Sequence, residues 1–228
     1  MNLVDVTDYL ANVAQLVRKC PTPTLRHAYM RAFREWCQQT QWLRVNIPGS
    51  TVAMQPQYTL GNDPYCDIIG IFAMQGTMLP PTLPPQTWPI GPTDPGRWNP
   101  NINPQAPQTY TYVPEAQFAL YPTPDTIYDL VVTAIVTPKE GAVMVPQAPL
   151  QKYSNDIEAG ALEYLLAIPG MPWTDKVTSA MKGKEFRSGI SNGKAEAQRH
   201  YNTGAQRATP RPFGGGFRRS GSAWGWGP

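Results

Sequence analysis

The chain has 228 residues, of which 41% are hydrophobic, and a formal net charge of +3. This length and apolar content are enough for one sizeable packed domain or two small ones. No stretch approaches 18 apolar residues, and the first ten residues carry acids where a signal peptide needs a basic region, so we expect no membrane span and a cytoplasm-like compartment. Cys20, Cys37 and Cys66 lack the close spacing of a zinc site or disulfide framework, which favours reduced, mostly buried thiols.

The net charge conceals an asymmetry between the two parts of the chain. Residues 1–170 carry nine Lys/Arg against 13 Asp/Glu, a net of −4, whereas residues 171–228 carry ten against three, a net of +7. A basic end on an acidic body indicates an acidic or phosphate-bearing partner, or a self-complementary assembly. A tail that only confers solubility is the alternative.

The first 41 residues predict two helices. Apolar residues recur at helical spacing between Asp5 and Lys19, and Asp5 can cap the start of this helix. Thr22 as N-cap and Pro23 at the first helical position predict the start of a second helix, whose broad apolar face runs from Leu25 to Cys37.

A two-residue period replaces the helical one after Trp42. It predicts strands over 42–47 and 52–60 with Pro48-Gly49 as the turn between them. The nearly continuous apolar run from Asp67 to Met74 predicts the buried central strand of a sheet.

Prolines dominate the middle of the chain, where 17 of the 26 lie between Pro64 and Pro149. Proline at this density excludes long helices, and Leu79 to Pro107 reads as a loop rich in polyproline-like conformation. Trp88 and Trp98 in this loop predict either an interface or rings folded back on the chain's own sheet. Further strand patterns at 109–113, 116–121 and 127–137 complete a small antiparallel sheet of five or six strands.

Helical spacing returns after Pro149 and stops at Pro169-Gly170. Thr174 then predicts the cap of a last helix that extends to Asn202, with an inward stripe of Val177, Ala180, Gly183, Phe186, Ile190, Gly193, Ala197 and Tyr201. Each helical glycine costs about 1 kcal/mol of helix propensity. We therefore expect either close packing of a neighbouring helix against this stripe, which we prefer, or a hinge.

The residues after Gly204 show no periodicity and combine glycine, arginine and aromatic side chains. Such a tail is either a docking peg anchored by Phe213, Phe217, Trp224 and Trp226, or a nucleic-acid binder whose phosphate contacts come from Arg207, Arg211, Arg218 and Arg219. An inert disordered tail is a third reading.

No catalytic, metal or cofactor site is predicted. His27 and His200, the two histidines, have no nucleophile or carboxylate at motif spacing, and Gly214-Gly215-Gly216 lacks the features of a phosphate-binding loop. We expect a protein that is not an enzyme and needs no cofactor.

Several phrases, taken in order, resemble the head-to-tail adaptor (connector) proteins of tailed bacteriophages, the group that includes the tail tubular protein A of short-tailed phages. They begin with Ala32-Phe33-Arg34-Glu35-Trp36-Cys37 followed by Thr40 and Trp42, and continue with Tyr58-Thr59-Leu60. Later come Leu120-Tyr121-Pro122-Thr123-Pro124 with Tyr128-Asp129-Leu130 and Pro138, then Ile157, Gly160-Ala161-Leu162, Leu165, Trp173, Asp175, Ala180 and Phe186. The resemblance spans about Val4 to Ala197. The tail matches nothing in it, and Leu79 to Pro107 is richer in proline than the family.

The resemblance implies a structural virion protein at the head-to-tail interface, assembled in the bacterial host cytoplasm. Its copies would form a dodecameric ring beneath the portal protein, with the strand insert and its loop tryptophans, Trp88 and Trp98, facing a tail tube or nozzle protein. Genomic DNA would pass through the lumen without sequence-specific binding during ejection. The tail would dock on the portal through Phe213, Phe217, Arg218, Arg219, Trp224 and Trp226, while Gly183, Phe186, Ile190 and Gly193 would pack helices between subunits.

The sequence thus predicts an α+β subunit in three parts. A bundle of about four helices comprises residues 1–41 and 147–204, a proline-rich antiparallel β domain is inserted at 42–146, and a flexible docking tail occupies 205–228. A nucleic-acid-binding module acting through that basic, aromatic tail is the alternative function.

Overall fold

The computed structural model describes residues 2–61, 63–76, 83–85, 104–113 and 116–201, and these form four helices and eight short strands. The helices are α1 (Thr7–Leu16), α2 (Thr22–Thr40), α3 (Gln147–Ala167) and α4 (Lys176–Tyr201). The strands are β1 (Leu3–Asp5), β2 (Arg44–Ser50), β3 (Gln57–Thr59), β4 (Cys66–Gly76), β5 (Thr109–Val113), β6 (Gln117–Tyr121), β7 (Asp129–Pro138) and β8 (Met144–Pro146). The predicted α+β class, four helices with small antiparallel sheets, is confirmed.

The helices form a bundle in which α3 contacts the other three. The Trp36 ring of α2 lies 4.6 Å from the Tyr153 ring of α3, and the Arg31 guanidinium of α2 lies 4.2 Å above the Tyr164 ring of α3. Residue numbers thus decrease along α2 as they increase along α3. The same order relates α3 to α4, in which Glu163 pairs with Arg187 and Tyr153 bonds Glu196. Both α2 and α4 are therefore antiparallel to α3, and α3 is kinked at Tyr153, whose dihedral angles (φ −122°, ψ 22°) are non-helical.

Aspartates begin two of the helices. Asp5 Oδ1 accepts a hydrogen bond of 2.8 Å from the Thr7 amide, as the predicted cap of α1 requires. Asp175 Oδ1 accepts bonds from the amides of Val177 and Thr178, so the predicted cap at Thr174 is wrong by one residue. The Thr174 hydroxyl instead donates to the Ile168 carbonyl at the end of α3.

The start of α2 is also displaced by one residue. Thr22 is already helical, and Pro21, in extended conformation, occupies the cap position predicted for Thr22. The helix ends where Gln41 adopts a left-handed conformation at φ 52°, directly before the chain enters the strands.

The strands between α2 and α3 do not form the single sheet of five or six strands predicted. They form two three-stranded antiparallel sheets in the orders β2-β7-β4 and β3-β6-β5, and β1 pairs with β8 in a separate ribbon. The chain leaves the first sheet after Ser50 and enters the second sheet at Gln57, which the sequence pattern does not indicate.

Two further predictions about the first sheet are wrong. Its central strand is β7, which pairs on both sides, whereas the strand predicted as central, β4, lies at an edge and carries two register irregularities. Pro48 and Gly49 lie within β2, opposite Val131 and Leu130, rather than in a turn. Proline is tolerated there because β2 is an edge strand, which needs no amide donor on its outer side.

Two apolar cores result. The larger one joins the helices to the first sheet, since Leu43, Cys66, Ala134 and Val136 pack in the same cluster as the bundle residues. The smaller one lies between the two sheets and contains Leu60, Met74, Leu83, Tyr110, Phe118, Leu120, Leu130 and Val132. The predicted domain limits, between residues 41 and 42 and between residues 146 and 147, stay a prediction. The larger core contains residues from both sides of each limit.

Replacing Asp175 with alanine should destabilise the protein at neutral pH. Hydrogen bonds from Thr178 lower the pKa of the Asp175 carboxyl below its usual range, so the ionised cap stabilises the fold above about pH 4 and is lost as pH falls through the lower, folded pKa. Thermal unfolding followed by circular dichroism should therefore show a gap between wild type and Asp175→Ala that narrows below about pH 4. A gap that is unchanged in acid would contradict the assignment, and Ser188→Ala, at an exposed position within α4, is the control.

Candidate functional site

The four α4 residues predicted to pack helices between subunits are buried within the chain itself. Gly183, Phe186, Ile190 and Gly193 lie on one face of α4, directed at α2 and α3. The stripe begins at Ser179, whereas Val177 and Ala180, which the prediction placed on it, are exposed. The buried positions 179, 183, 186, 190, 193 and 197 keep spacings of four and three residues, and Val177 and Ala180 lie off that face of the helix.

The glycines permit close approach of α4 to the other helices. A Cβ at Gly193 would lie 2.9 Å from Cζ2 of Trp36 and 2.8 Å from Cγ2 of Thr40. On α3, a Cβ at Gly160 would lie 2.8 Å from Cδ2 of Phe186. The expected close packing of neighbouring helices against this stripe is present, and the neighbours are α2 and α3 of the same chain. The assignment of these four residues to an intersubunit contact stays a prediction.

The other predicted contact residues fall outside the described residues. These are Trp88 and Trp98 of the loop, and Phe213, Phe217, Arg218, Arg219, Trp224 and Trp226 of the C-terminal tail. Their roles stay predictions.

A groove that runs beside α2 encloses about 920 Å³. Three arginines line it, and each already has a partner within the chain: Arg26 donates to the Gly141 carbonyl, Arg34 to the Pro138 carbonyl, and Arg31 stacks on Tyr164. His27, also in this groove, lies 3.9 Å from Glu140 with both side chains exposed. The arginine side chains that line this groove are therefore already engaged in contacts within the chain.

Reactive thiols and metal ligands are not brought together in the described part of the chain. Burial raises the pKa of Cys37 well above its usual range and that of Cys66 to about 12, so both remain protonated at neutral pH. Among the described residues there is no group of three or more His, Cys, Asp or Glu side chains that could hold a metal ion.

An apolar surface that the sequence did not reveal lies on the two loops beyond the ends of β2 and β6. We call residues 51–56 and 122–129 the strand tip, because they lie where β2 ends and β7 begins, away from the helices. Its large apolar side chains are exposed: Val52 by 52%, Met54 by 52% and Ile127 by 68%. Exposed apolar side chains gathered at one place are typical of interaction sites.

Hydrogen bonds hold the two loops of the strand tip together. The Thr51 amide donates to the Tyr128 carbonyl at 2.8 Å, and the Tyr128 amide donates to the Thr51 hydroxyl at 2.7 Å. The Met54 amide donates to the Pro124 carbonyl at 2.8 Å. The apolar side chains are thus presented on a preorganised backbone, which reduces the entropy lost when a partner binds.

The strand tip is also acidic. Asp125 and Asp129 are exposed on it, and residues 45–138 contain six Asp/Glu but a single basic residue, Arg97. A partner of this surface would accordingly combine apolar with basic groups.

A second exposed apolar surface lies at the opposite end of the molecule. We define the helix end as residues 16–21, the connection 168–175 and the first ten residues of α4, 176–185. It exposes Leu16 by 66%, Met171 by 44%, Val177 by 74% and Met181 by 59%. Its charged residues are mostly basic, with Arg18, Lys19, Lys176, Lys182 and Lys184 against Asp175 and Glu185.

The sequence patterns do not indicate either surface. Val52 and Met54 continue the two-residue period and therefore predict a strand, and Ile127 falls at the start of the pattern that predicts β7. Val177 fitted the inward stripe of α4. The signal that could have located the strand tip is the lack of basic residues around Pro122-Thr123-Pro124-Asp125.

The chain matches no model of a protein family and no curated protein sequence. Within the described residues, none of the helices has the length and apolar character needed to cross a membrane.

Replacing Phe186 with alanine should lower the free energy of unfolding by about 3–5 kcal/mol, because the ring is buried against Gly160 within one chain. Met181→Ala, on the exposed face of the same helix, should change it by less than about 0.5 kcal/mol. Urea unfolding of the dilute protein measures both. A loss of stability that appears only when copies associate would instead support the intersubunit assignment.

Proposed function

We propose that the protein is a structural virion component, the subunit of a head-to-tail adaptor ring that joins a portal to a tail and surrounds the DNA channel. The observation that carries this proposal is the pair of exposed apolar surfaces at opposite ends of one subunit. One of them, the helix end, is mostly basic, and the other, the strand tip, is acidic. A subunit that joins two different neighbours along an axis needs two such ends, and the sequence resemblance supplies the identity of the neighbours.

The arrangement of the helices suits side-by-side packing of copies. Helices α1 and α4 both pack on α3, and contacts between them are few or absent, so they lie on different sides of the central helices. Copies repeated around an axis parallel to the bundle would bring α4 of one copy near α1 of the next, a heterologous contact that closes into a ring. Twelve copies are expected from the resemblance.

Opposite charges at the two ends would fix the orientation of the ring between its neighbours. The basic helix end favours an acidic surface, and the acidic strand tip favours a basic one, so an inverted subunit would place like charges together. Such complementarity contributes orientation and association rate more than affinity. In the proposed ring the helix end faces the portal, the strand tip faces the tail tube or nozzle protein, and genomic DNA passes through the lumen without sequence-specific contacts.

Docking of the C-terminal tail on the portal is compatible with the position of α4. That helix runs from the helix end toward the sheets over 26 residues, about 39 Å at 1.5 Å per residue. The tail therefore begins on the side of the strands and has to return along the bundle to reach a portal at the helix end. Its 27 residues after Tyr201 can span up to about 90 Å, which is ample.

Substitutions at the two ends should separate the two neighbours. Val177→Asp with Met181→Asp should weaken binding to assembled portal at least about tenfold, which corresponds to about 1.4 kcal/mol, and leave binding of the tail-side protein unchanged. Val52→Asp with Ile127→Asp should have the converse effect. Ser188→Asp with Asn192→Asp adds the same two charges at exposed polar positions of α4 that belong to neither end, and this variant is the matched control for both pairs.

Surface plasmon resonance on assembled portal and on the tail-side protein measures the affinity of each variant for each partner. Equal effects of both pairs on both partners would contradict the assignment of the ends. The adaptor function itself would fail if the wild-type protein neither formed rings nor bound portal.

Nucleic-acid binding through the tail is the alternative, favoured by the basic charge of residues 202–228. Contacts of Arg207, Arg211, Arg218 and Arg219 with phosphates predict that the logarithm of the affinity for duplex DNA falls with the logarithm of salt concentration with a slope of about −3.6. Changing all four to glutamine should abolish that slope. If deletion of residues 205–228 abolishes DNA binding while portal binding survives, the tail binds nucleic acid rather than portal.

A further inference from the structure

The strand tip has the properties of a preformed docking site with no occupant among the described residues. Val52, Met54 and Ile127 are exposed, and the hydrogen bonds between Thr51 and Tyr128 hold their loops in place. Asp125 and Asp129 give it negative charge. An occupant would therefore carry apolar anchors together with cationic groups.

The C-terminal segment of this same chain has that chemistry. Residues 202–228 contain four arginines and no Asp or Glu, together with Phe213, Phe217, Trp224 and Trp226. Aromatic and arginine side chains are the residue types most often found at the energetic centre of protein interfaces. The strand region and the C-terminal segment are thus complementary in charge, and both are rich in apolar groups.

The C-terminal segment begins on the correct side of the molecule. Ala197 and Gln198, near the end of α4, line a groove together with Arg44 at the start of β2 and Phe72 of β4. From there β2 extends seven residues toward the strand tip, about 23 Å at 3.3 Å per residue. Residues 202–213 alone can span up to about 40 Å, so Phe213 and every later anchor can reach the tip.

We propose that, in the protein before it meets its partners, the C-terminal segment docks on the strand tip, with its aromatic side chains against Val52, Met54 and Ile127 and its arginines beside Asp125 and Asp129. Docking covers the apolar surface and lowers association through it. A neighbour that captures the C-terminal segment, as the portal does in the proposed function, uncovers the strand tip. This inference goes beyond the proposed function, since it concerns the free protein and can hold whether or not the protein is an adaptor.

Paramagnetic relaxation in the full-length chain tests the contact. A nitroxide is attached at Ser222→Cys in a Cys20→Ser background, because Cys37 and Cys66 are buried and Cys20 is partly accessible. The methyl signals of Met54 and Ile127 should lose at least about half of their intensity relative to the reduced spin label. Met171 and Met181, at the helix end, should keep theirs and serve as internal controls.

Charge reversal tests the complementarity. Arg218→Glu with Arg219→Glu should restore the Met54 and Ile127 signals to within about 10% of full intensity, and adding Asp125→Arg with Asp129→Arg should bring the broadening back. All four positions are exposed or outside the described residues, and the methyl spectrum of each variant reports its folding. Mixing isotope-labelled chains with separately nitroxide-labelled chains shows whether the segment docks within one chain or between two copies.

The proposal is overturned if Met54 and Ile127 are no more broadened than Met171 and Met181. It is equally overturned if the glutamate pair leaves the broadening intact or the double reversal fails to restore it. None of these results depends on portal or tail proteins. The proposed function can therefore fail while this contact is present, and the contact can be absent while the proposed function holds.

Discussion

The indole of Trp36 makes the contacts on which the arrangement of the helices and strands depends. It is fully buried near the end of α2, where it packs on Tyr153 of α3, lies within 6.3 Å of the Trp42 ring, and touches the backbone of α4 at Gly193. One side chain therefore joins three helices to the segment that enters β2. Because the same core continues into Ala134 and Val136 of β7, the strands are held at a fixed position relative to the bundle. A side chain larger than glycine at position 193 would push α4 away and loosen this junction.

This rigid junction fixes the position of the two exposed ends relative to each other. The strand tip and the helix end are presented by opposite sides of one packed body, so a neighbour bound at one end is held in register with a neighbour at the other. Their apolar side chains supply contact area, while the opposite charges distinguish one end from the other. Ala197 and Gln198, near the end of α4, lie beside Arg44 and Phe72, and the C-terminal segment that follows is long enough to reach either end. That position allows one segment to serve two surfaces in turn.

Helix existence and type could be predicted from the sequence, because apolar spacing over ten or more residues is a strong local signal. Pro23 and Pro169-Gly170 marked boundaries within a residue or two. Sheet organisation could not be predicted, since whether Gln57 returns to the sheet of Ser50 or begins another depends on partners distant in sequence. Pro48 looked like a turn because its tolerance at an edge strand is a property of the finished sheet. The strand tip was missed for the same reason: nothing local shows that Thr51 and Tyr128 meet across 77 residues.

The central claim is that this subunit joins two different neighbours as one member of a ring. Electron micrographs of particles that carry the protein, averaged and compared with particles lacking it, test this claim most directly. We expect a twelve-fold ring between head and tail, with the helix end toward the portal and the strand tip toward the tail. Particles with no difference at that interface, or with the added density elsewhere, would contradict it.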